Sequence, residues 1–173
     1  PNQLVDIDLF WRHSVHTGIV ARILSKQCNI LHGERLFVAG MLHDIGKLVL
    51  YFKEPELSQQ VLLQAADDDG QLWKAGKSII GFTHADAGAA LIDAWRLSDT
   101  LKDVVKYHHT PLLTTKAPIE TALVHTANCI VNALSPDTEV DEHLLDDYPG
   151  FEPKTLEITG LDMKKLAAVM DQV

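Results

Sequence analysis

Apolar residues recur three or four positions apart along nearly the whole chain, which is the spacing of one face of an α-helix. Leu9, Val20 and Ile23 belong to the first such stripe, and Leu36 and Ala39 open the second. No stretch alternates between apolar and polar residues in the way that a half-buried strand does. The pattern therefore predicts an all-α fold.

Prolines and capping residues divide the remaining stripes into helices. Proline is tolerated in the first turn of a helix and stops one elsewhere, and Ser or Asp side chains cap helix N-termini. These signals predict helices from Pro55, from His84 to Trp95, from Ser98 or Asp99 to His108 before Pro111, from Pro118, and over roughly 162–170. The acidic run 67–70 is predicted to be a turn, and the acidic segment 135–150 a loop with at most one short helix.

Composition narrows the class of protein. A chain of 173 residues is long enough for one sizeable core, so residues 1–173 are expected to form a single domain. A net charge of −9 without a basic stripe argues against nucleic acid and anionic membranes as partners. No run approaches the ~20 apolar residues of a membrane span. Cys28 and Cys129 lie in apolar helical stretches, which predicts reduced thiols and a cytoplasmic protein.

Nine histidines are the unusual feature, because several stand on apolar helical faces where ionisable side chains are rarely buried alone. Five predicted helices carry them or a neighbouring polar residue: His13 with His16 as a weaker candidate, His43 beside Asp44, His84, His108 beside His109, and Asn128 with His125. One interpretation is a set of independently hydrogen-bonded core residues, including a buried ion pair at 43–44. The other is a shared divalent cation, which would satisfy them all together. The number of helices involved favours the cation.

The donor chemistry is that of a transition-metal site. Imidazole and carboxylate ligands suit iron or manganese, with zinc or nickel as further candidates. Asp44 could bridge two ions through its two oxygens while His43 binds one of them. Gly46 would allow close helix packing behind the ligands. Lys47 could hold an ammonium group near a bound anion, or it could be an ordinary surface lysine.

Several short stretches resemble a known family. "HDIGK" at 43–47 resembles the signature of the HD superfamily of metal-dependent phosphohydrolases, which are helical bundles. Five stretches in order over about residues 9–134 resemble the landmarks of its HDOD branch, the HD-related output domain of bacterial signalling proteins: "WRHSV", "FVAGMLHDIGKLVL", "THADAGAALIDAWRL", "VVKYHH" and "ALVHTAN".

The resemblance implies a ligand set and a domain context. The superfamily's metal ligands would fall on His13, His43, Asp44, His84, His108, His109 and Asn128. If the site is catalytic, we expect Asp44 and Lys47 to be the catalytic residues. Asn128 stands where an aspartate is usual, which removes one negative charge. "HHTPLLTTKAP" replaces the Gly-Tyr-Pro segment of the related phosphodiesterases that cleave cyclic di-GMP, so that substrate is not expected. A helical half usually precedes the "WRHSV" landmark, which predicts that the sequence is the C-terminal part of a longer chain.

The resemblance also implies a function in signalling. HDOD domains are regulatory modules, so the expected partners are other signalling domains or proteins and a phosphate-containing small molecule. An active phosphohydrolase acting on a nucleotide or another phosphate ester is the alternative, since most of the ligand set is retained. A helical scaffold without a site leaves the clustered polar residues unexplained. We further predict that His13, His43, Asp44, His84, His108 and His109 converge, and that His16, His32, His125 and His143 lie in packing or surface positions.

Overall fold

The computed structural model describes residues 4–65, 69–134, 145, 148–170 and 172. Within these residues every regular element is helical, which confirms the all-α prediction, and a short 3-10 turn spans Pro111–Leu113. The helices are α1 (Ile7–Gln27), α2 (Gly33–Leu42), α3 (Ile45–Lys53), α4 (Pro55–Ala65), α5 (Asp69–Ile79), α6 (His84–Ala94), α7 (Asp99–Tyr107), α8 (Pro118–Ala133), α9 (Lys154–Thr159) and α10 (Met163–Met170). In this described part, no helix is both long and apolar enough to cross a membrane.

The apolar positions of "AGMLHDIGKLVL", residues 39–50, predict the buried face of one helix, but the stretch forms parts of two helices. α2 ends at Leu42, α3 begins at Ile45, and the chain turns at His43 and Asp44 between them. α2 packs on α1, whereas α3 packs on α6. The break lets each helix keep its own neighbour, and it leaves the His-Asp pair at the junction.

The sequence pattern did not predict two of the helices, α5 and α9. α5 begins at Asp69, where the acidic run predicted a turn, and the three residues before it lie outside the described part. Gly70 and Gly76 weaken its helical signal by roughly 1 kcal/mol each, and packing on α4 and α6 overrides that cost. α9 is only six residues long and has little periodicity to detect. Most of the predicted loop at 135–150 lies outside the described residues, apart from Leu145 and residues 148–150.

Glycine pairs bring the helices of the site unusually close. A Cβ atom on Gly40 of α2 would lie 2.7 Å from the Cα of Gly18 on α1. On α3, a Cβ atom on Gly46 would lie 1.9 Å from the backbone oxygen of His84 on α6. No other residue type fits these crossings without moving a backbone.

The main core surrounds α8, whose residues 121–130 are buried on every side. Leu123 and Ile130 of α8 pack in one cluster with Leu24 of α1, Leu36 of α2 and Leu166 of α10. α8 is therefore the central helix of the bundle, and α1, α2 and α7 pack around it.

Candidate metal centre

Two histidines of the candidate centre are oriented by the ends of their own helices. His43 follows the last residue of α2, and its Nδ1 donates to the backbone oxygen of Gly40 at 2.6 Å. His108 follows the last residue of α7, and its Nδ1 donates to the oxygen of Val105 at 2.7 Å. Because a carbonyl only accepts, each ring carries a proton on Nδ1, and in its neutral form it presents the Nε2 lone pair to the interior.

His84 is positioned by the start of its helix. It is the first residue of α6, directly after Thr83. The Thr83 hydroxyl accepts from the Asp86 backbone N–H at 3.0 Å, and the Asp86 carboxylate accepts from the Thr83 N–H at 3.0 Å. This reciprocal capping box holds the first turn in place, with His84 buried beneath it.

Asp44 stands at the middle of the cluster, and its two oxygens face two different sets of histidines. Its Oδ1 lies 3.2 Å from His84 Nε2 and 3.6 Å from His108 Nε2. Its Oδ2 lies 3.3 Å from His43 Nε2 and 3.8 Å from His13 Nε2. The carboxylate therefore separates two possible ligand sets, with one oxygen turned to each.

The first set contains one further histidine. His109 Nε2 lies 3.0 Å from His84 Nε2, at the partly exposed side of the cluster. In each set, one ligand atom from every residue lies within 4.8 Å of the others: Asp44, His84, His108 and His109 in one, and His13, His43 and Asp44 in the other. Each set could hold a metal ion.

The structure brings the histidines and the aspartate of the predicted ligand set together. Six of the seven predicted ligands form the two sets that share Asp44: His13, His43, Asp44, His84, His108 and His109. The seventh, Asn128, is buried on α8, and its Oδ1 accepts from Asn132 Nδ2 at 3.2 Å, so its role as a ligand stays a prediction.

Of the other positions named from the sequence, Lys47 contacts the cluster, and the remaining described histidines are not among its candidate ligands. Lys47 is mostly buried, with its Nζ 2.7 Å from Asp44 Oδ2. His16 and His32 are exposed, and His125 is buried in α8. His143 lies outside the described residues.

The ionisable groups of the centre shift one another's pKa values. Burial alone would raise the pKa of Asp44, but the charges of His43 and Lys47 hold it well below its usual range, so the carboxylate is ionised. Burial lowers the pKa of His108 to about 4, against the opposing effect of Asp44. Burial also lowers the pKa of His43, but the neighbouring carboxylate outweighs it and the net shift is upward. His108 is therefore neutral near pH 7, the form that can coordinate a metal.

An ion pair alone does not satisfy this cluster. Lys47 engages Asp44 Oδ2. Among the residues that the structure describes, the buried atoms Asp44 Oδ1, His43 Nε2 and His108 Nε2 have no hydrogen-bond partner. A buried polar atom without a hydrogen-bond partner lowers the stability of the fold. Because all three converge with their lone pairs, the residues present fit a divalent cation.

Several further groups support the centre, and most of them leave no signal in the sequence. The carbonyls of Gly40 and Val105, which orient the rings, are backbone groups and leave no trace in residue type. Trp73, whose ring centroid lies 6.1 Å from that of His109, comes from the unpredicted α5. Thr83 could have been found, because "THAD" has the spacing of a capping box.

Solved structures with the same fold are known. A protein of unknown function with an HDOD domain from Geobacter sulfurreducens is 23% identical, with a TM-score of 0.77 over 97% of this chain and 59% of its own. A proposed phosphohydrolase from Shewanella amazonensis is 20% identical, with a TM-score of 0.78 over 99% of this chain and 62% of its own. The response regulator MmoQ from Methylococcus capsulatus is 17% identical, with a TM-score of 0.70 over 98% of this chain and 63% of its own. This chain thus spans about three fifths of each of them, and at these identities the likeness shows the fold alone.

The family is assigned by sequence. No curated protein matches the chain at a significant level. The model of the HDOD domain family, however, matches residues 1–111, which include His13, the His43–Asp44 pair and His84 together with the 108–109 pair. The chain belongs to the HDOD domain family.

Proposed function

We propose that this HDOD chain is a bacterial signal-transduction module whose buried histidine and aspartate cluster holds one or two divalent transition-metal ions. The observation that carries the proposal is the set of three buried, unpartnered atoms around the ionised Asp44 carboxylate. Iron and manganese suit this mixed nitrogen and oxygen set best, with zinc or nickel as further candidates. The expected partners are other signalling domains or proteins.

Asp44 has the central part in this proposal. Its Oδ1 would serve the ion shared with His84, His108 and His109, and its Oδ2 the ion shared with His13 and His43. The carbonyls of Gly40 and Val105 keep two of these rings in the tautomer that coordinates. Lys47 limits the second position, because its ammonium already contacts Asp44 Oδ2. Asn128 brings no charge to the cluster, which further favours a regulatory over a catalytic role.

A metal-dependent phosphohydrolase is the second candidate, and Lys47 is the observation that favours it. Its ammonium is held 2.7 Å from Asp44 at a side chain that is 14% exposed, where it could neutralise a phosphate oxygen. Asp44 and Lys47 would then be the catalytic residues, and a nucleotide or another phosphate ester the substrate. A bound metal pair would supply an acidified water and a clamp for the phosphoryl group.

Replacing the Asp44 carboxylate tests both candidates. Asp44→Asn keeps the side-chain volume and removes the charge between the two histidine sets, so we expect metal content to fall to background. At a metal concentration 100 times Kd, bound metal stabilises the fold by ~2.7 kcal/mol, or about 5–11 °C in Tm for a chain of this size, and this gain should vanish. Metal analysis after purification without chelator and thermal melts with Mn²⁺ measure both effects.

The matched control is Asp93→Asn, which removes an exposed carboxylate that pairs with Lys102 on the outside of α6. It should keep its metal and its Mn²⁺-dependent Tm. Hydrolysis of a generic phosphodiester separates the two candidate functions, because only an enzyme has turnover for Asp44→Asn to abolish. If Asp44→Asn retains metal at the wild-type level, the 43–44 pair is a buried polar contact and the proposal fails.

A further inference from the structure

His125 is a buried histidine that the proposed metal centre does not use. It lies in the middle of α8 and is 3% exposed. Its Nδ1 is 2.7 Å from the backbone oxygen of His108, and its Nε2 is 3.0 Å from the backbone nitrogen of Glu152. One imidazole ring thus connects the backbone of a candidate metal ligand to a stretch of chain more than 40 residues later.

Only one protonation state satisfies both contacts. The Glu152 N–H must donate, so Nε2 carries no proton, and the His108 carbonyl must accept, so Nδ1 carries one. Burial lowers the pKa of His125, despite the opposing effects of the His108 carbonyl and the Glu152 charge, which agrees with a neutral ring. The neutral ring therefore hydrogen-bonds at both ends, to the His108 carbonyl and to the Glu152 N–H, and links these two parts of the backbone.

The distal end of the link belongs to what we call the 148–159 segment, residues 148–159, which includes α9. Phe151 stacks on the His125 ring, with centroids 6.0 Å apart and planes at 11°. The buried Thr155 hydroxyl donates to the Glu152 oxygen at 2.6 Å, so it can only accept from Thr126, whose hydroxyl lies 3.3 Å away. Adjacent residues of α8 therefore anchor the 148–159 segment at two points.

The proximal end of the link is His108, a candidate ligand of the metal centre. His108 faces Asp44 Oδ1 through Nε2 at 3.6 Å and faces His125 through its own carbonyl. A ring held by an ion restrains its backbone, and the direction of that carbonyl decides whether His125 can reach it. From 2.7 Å, this contact can lengthen by about 0.5 Å before it leaves the usual range of an N–H···O hydrogen bond.

We propose that His125 couples the metal centre to the 148–159 segment, so that an ion held at His108 orders this segment and loss of the ion loosens it. The inference rests on the proposed function and adds its output, a stretch of chain whose order depends on metal occupancy. Coupling is reciprocal, so a partner that binds the ordered form of the 148–159 segment would raise the metal affinity by the same factor by which metal raises the affinity for the partner.

Hydrogen exchange of the whole chain, with and without Mn²⁺, measures this coupling directly. In the wild-type protein we expect Mn²⁺ to slow exchange of the backbone amides in the 148–159 segment at least fivefold, the lower end of usual coupling. Exchange in α4, which has no part in the link, should change less. Mn²⁺ binding itself is measured separately by titration.

Two substitutions cut opposite ends of the link. His125→Asn places an amide near the position of Nδ1, which keeps a donor for His108 and loses the acceptor for Glu152. Metal affinity should stay near wild type while the exchange response of the 148–159 segment disappears. His125→Gln places its amide near the position of Nε2, which keeps the acceptor and loses the donor, so the segment should stay protected while metal affinity falls. His16→Asn, at an exposed histidine of α1, is the control and should respond as wild type.

The outcomes separate the two proposals. Wild-type protein that binds Mn²⁺ without any slowing in the 148–159 segment overturns the coupling and leaves the metal site standing. Equal slowing in His125→Asn also overturns it, since the response would then travel by another route. Wild-type protein that binds no Mn²⁺ overturns the proposed function and the coupling together. If neither His125 variant folds, the wild-type measurement alone decides.

Discussion

Gly46→Ala should damage both the fold and the metal centre, because Gly46 sits where α3 meets α6. The added Cβ would lie 1.9 Å from the His84 backbone oxygen and 2.5 Å from the Gly88 nitrogen. A carbon normally approaches a carbonyl oxygen to about 3.3 Å, so roughly 1.4 Å of separation is missing. Both obstacles are backbone atoms, so no side-chain rotation can relieve the clash and the two helices must move apart.

The magnitude follows from opposing effects. Overpacking of a core costs about 1–3 kcal/mol, and a backbone clash belongs at the upper end. Alanine regains up to ~1 kcal/mol in helix propensity, which leaves a net loss of ~2 kcal/mol, or about 4–8 °C in Tm. Metal distances tolerate errors of only about 0.2 Å, and the displaced oxygen belongs to a candidate ligand residue. Mn²⁺ affinity should therefore fall at least tenfold.

Chemical denaturation in chelator measures the stability, and Mn²⁺ titration measures the affinity. Gly76→Ala is the matched control, since its Cβ would meet nothing closer than the Phe82 oxygen at 3.6 Å. That variant should gain up to ~1 kcal/mol from helix propensity and bind Mn²⁺ normally, which separates the two by about 3 kcal/mol. Equal stability and equal affinity in the two variants would refute the close α3–α6 crossing.

Two further predictions concern the histidines. Between pH 6.5 and 4 the unfolded chain takes up a proton at His108 that the folded chain refuses, because burial lowers the folded pKa to about 4. In chelator, the free energy of unfolding should therefore decrease by up to ~3 kcal/mol from this residue as the pH is lowered over that range. In urea melts, the free energy of unfolding of His108→Asn should depend less steeply on pH than that of the wild type. An unchanged pH dependence contradicts the assignment. Thr83→Ala removes the N-terminal cap of α6, so it should lower the free energy of unfolding by ~1 kcal/mol in the same melts and weaken Mn²⁺ binding through His84. Ser98→Ala removes the N-terminal cap of α7 and should cost as much stability, with a smaller effect on Mn²⁺ affinity. Equal losses of Mn²⁺ affinity in the two variants would argue that the α6 cap does not position His84.

The sequence by itself determined the elements whose signals are local. Apolar spacing, prolines and caps predicted the positions of α1, α4, α6, α7, α8 and α10, because helix propensity and capping depend on neighbours within a turn or two. The placement of histidines on apolar faces also indicated a shared site, since burial of an imidazole needs a partner wherever that partner lies. That inference required no knowledge of how the helices pack.

Tertiary structure decided what depends on residues far apart in the chain. The break at His43 and Asp44 arises because α2 and α3 pack on different helices, which no local pattern encodes. The assignment of each Asp44 oxygen to its own histidine set depends on the α3–α6 crossing at Gly46, and the link from His125 to Glu152 depends on how the later chain folds back onto α8. These arrangements come from packing and backbone hydrogen bonds, whose free energy belongs to pairs of distant residues rather than to any one position in the sequence.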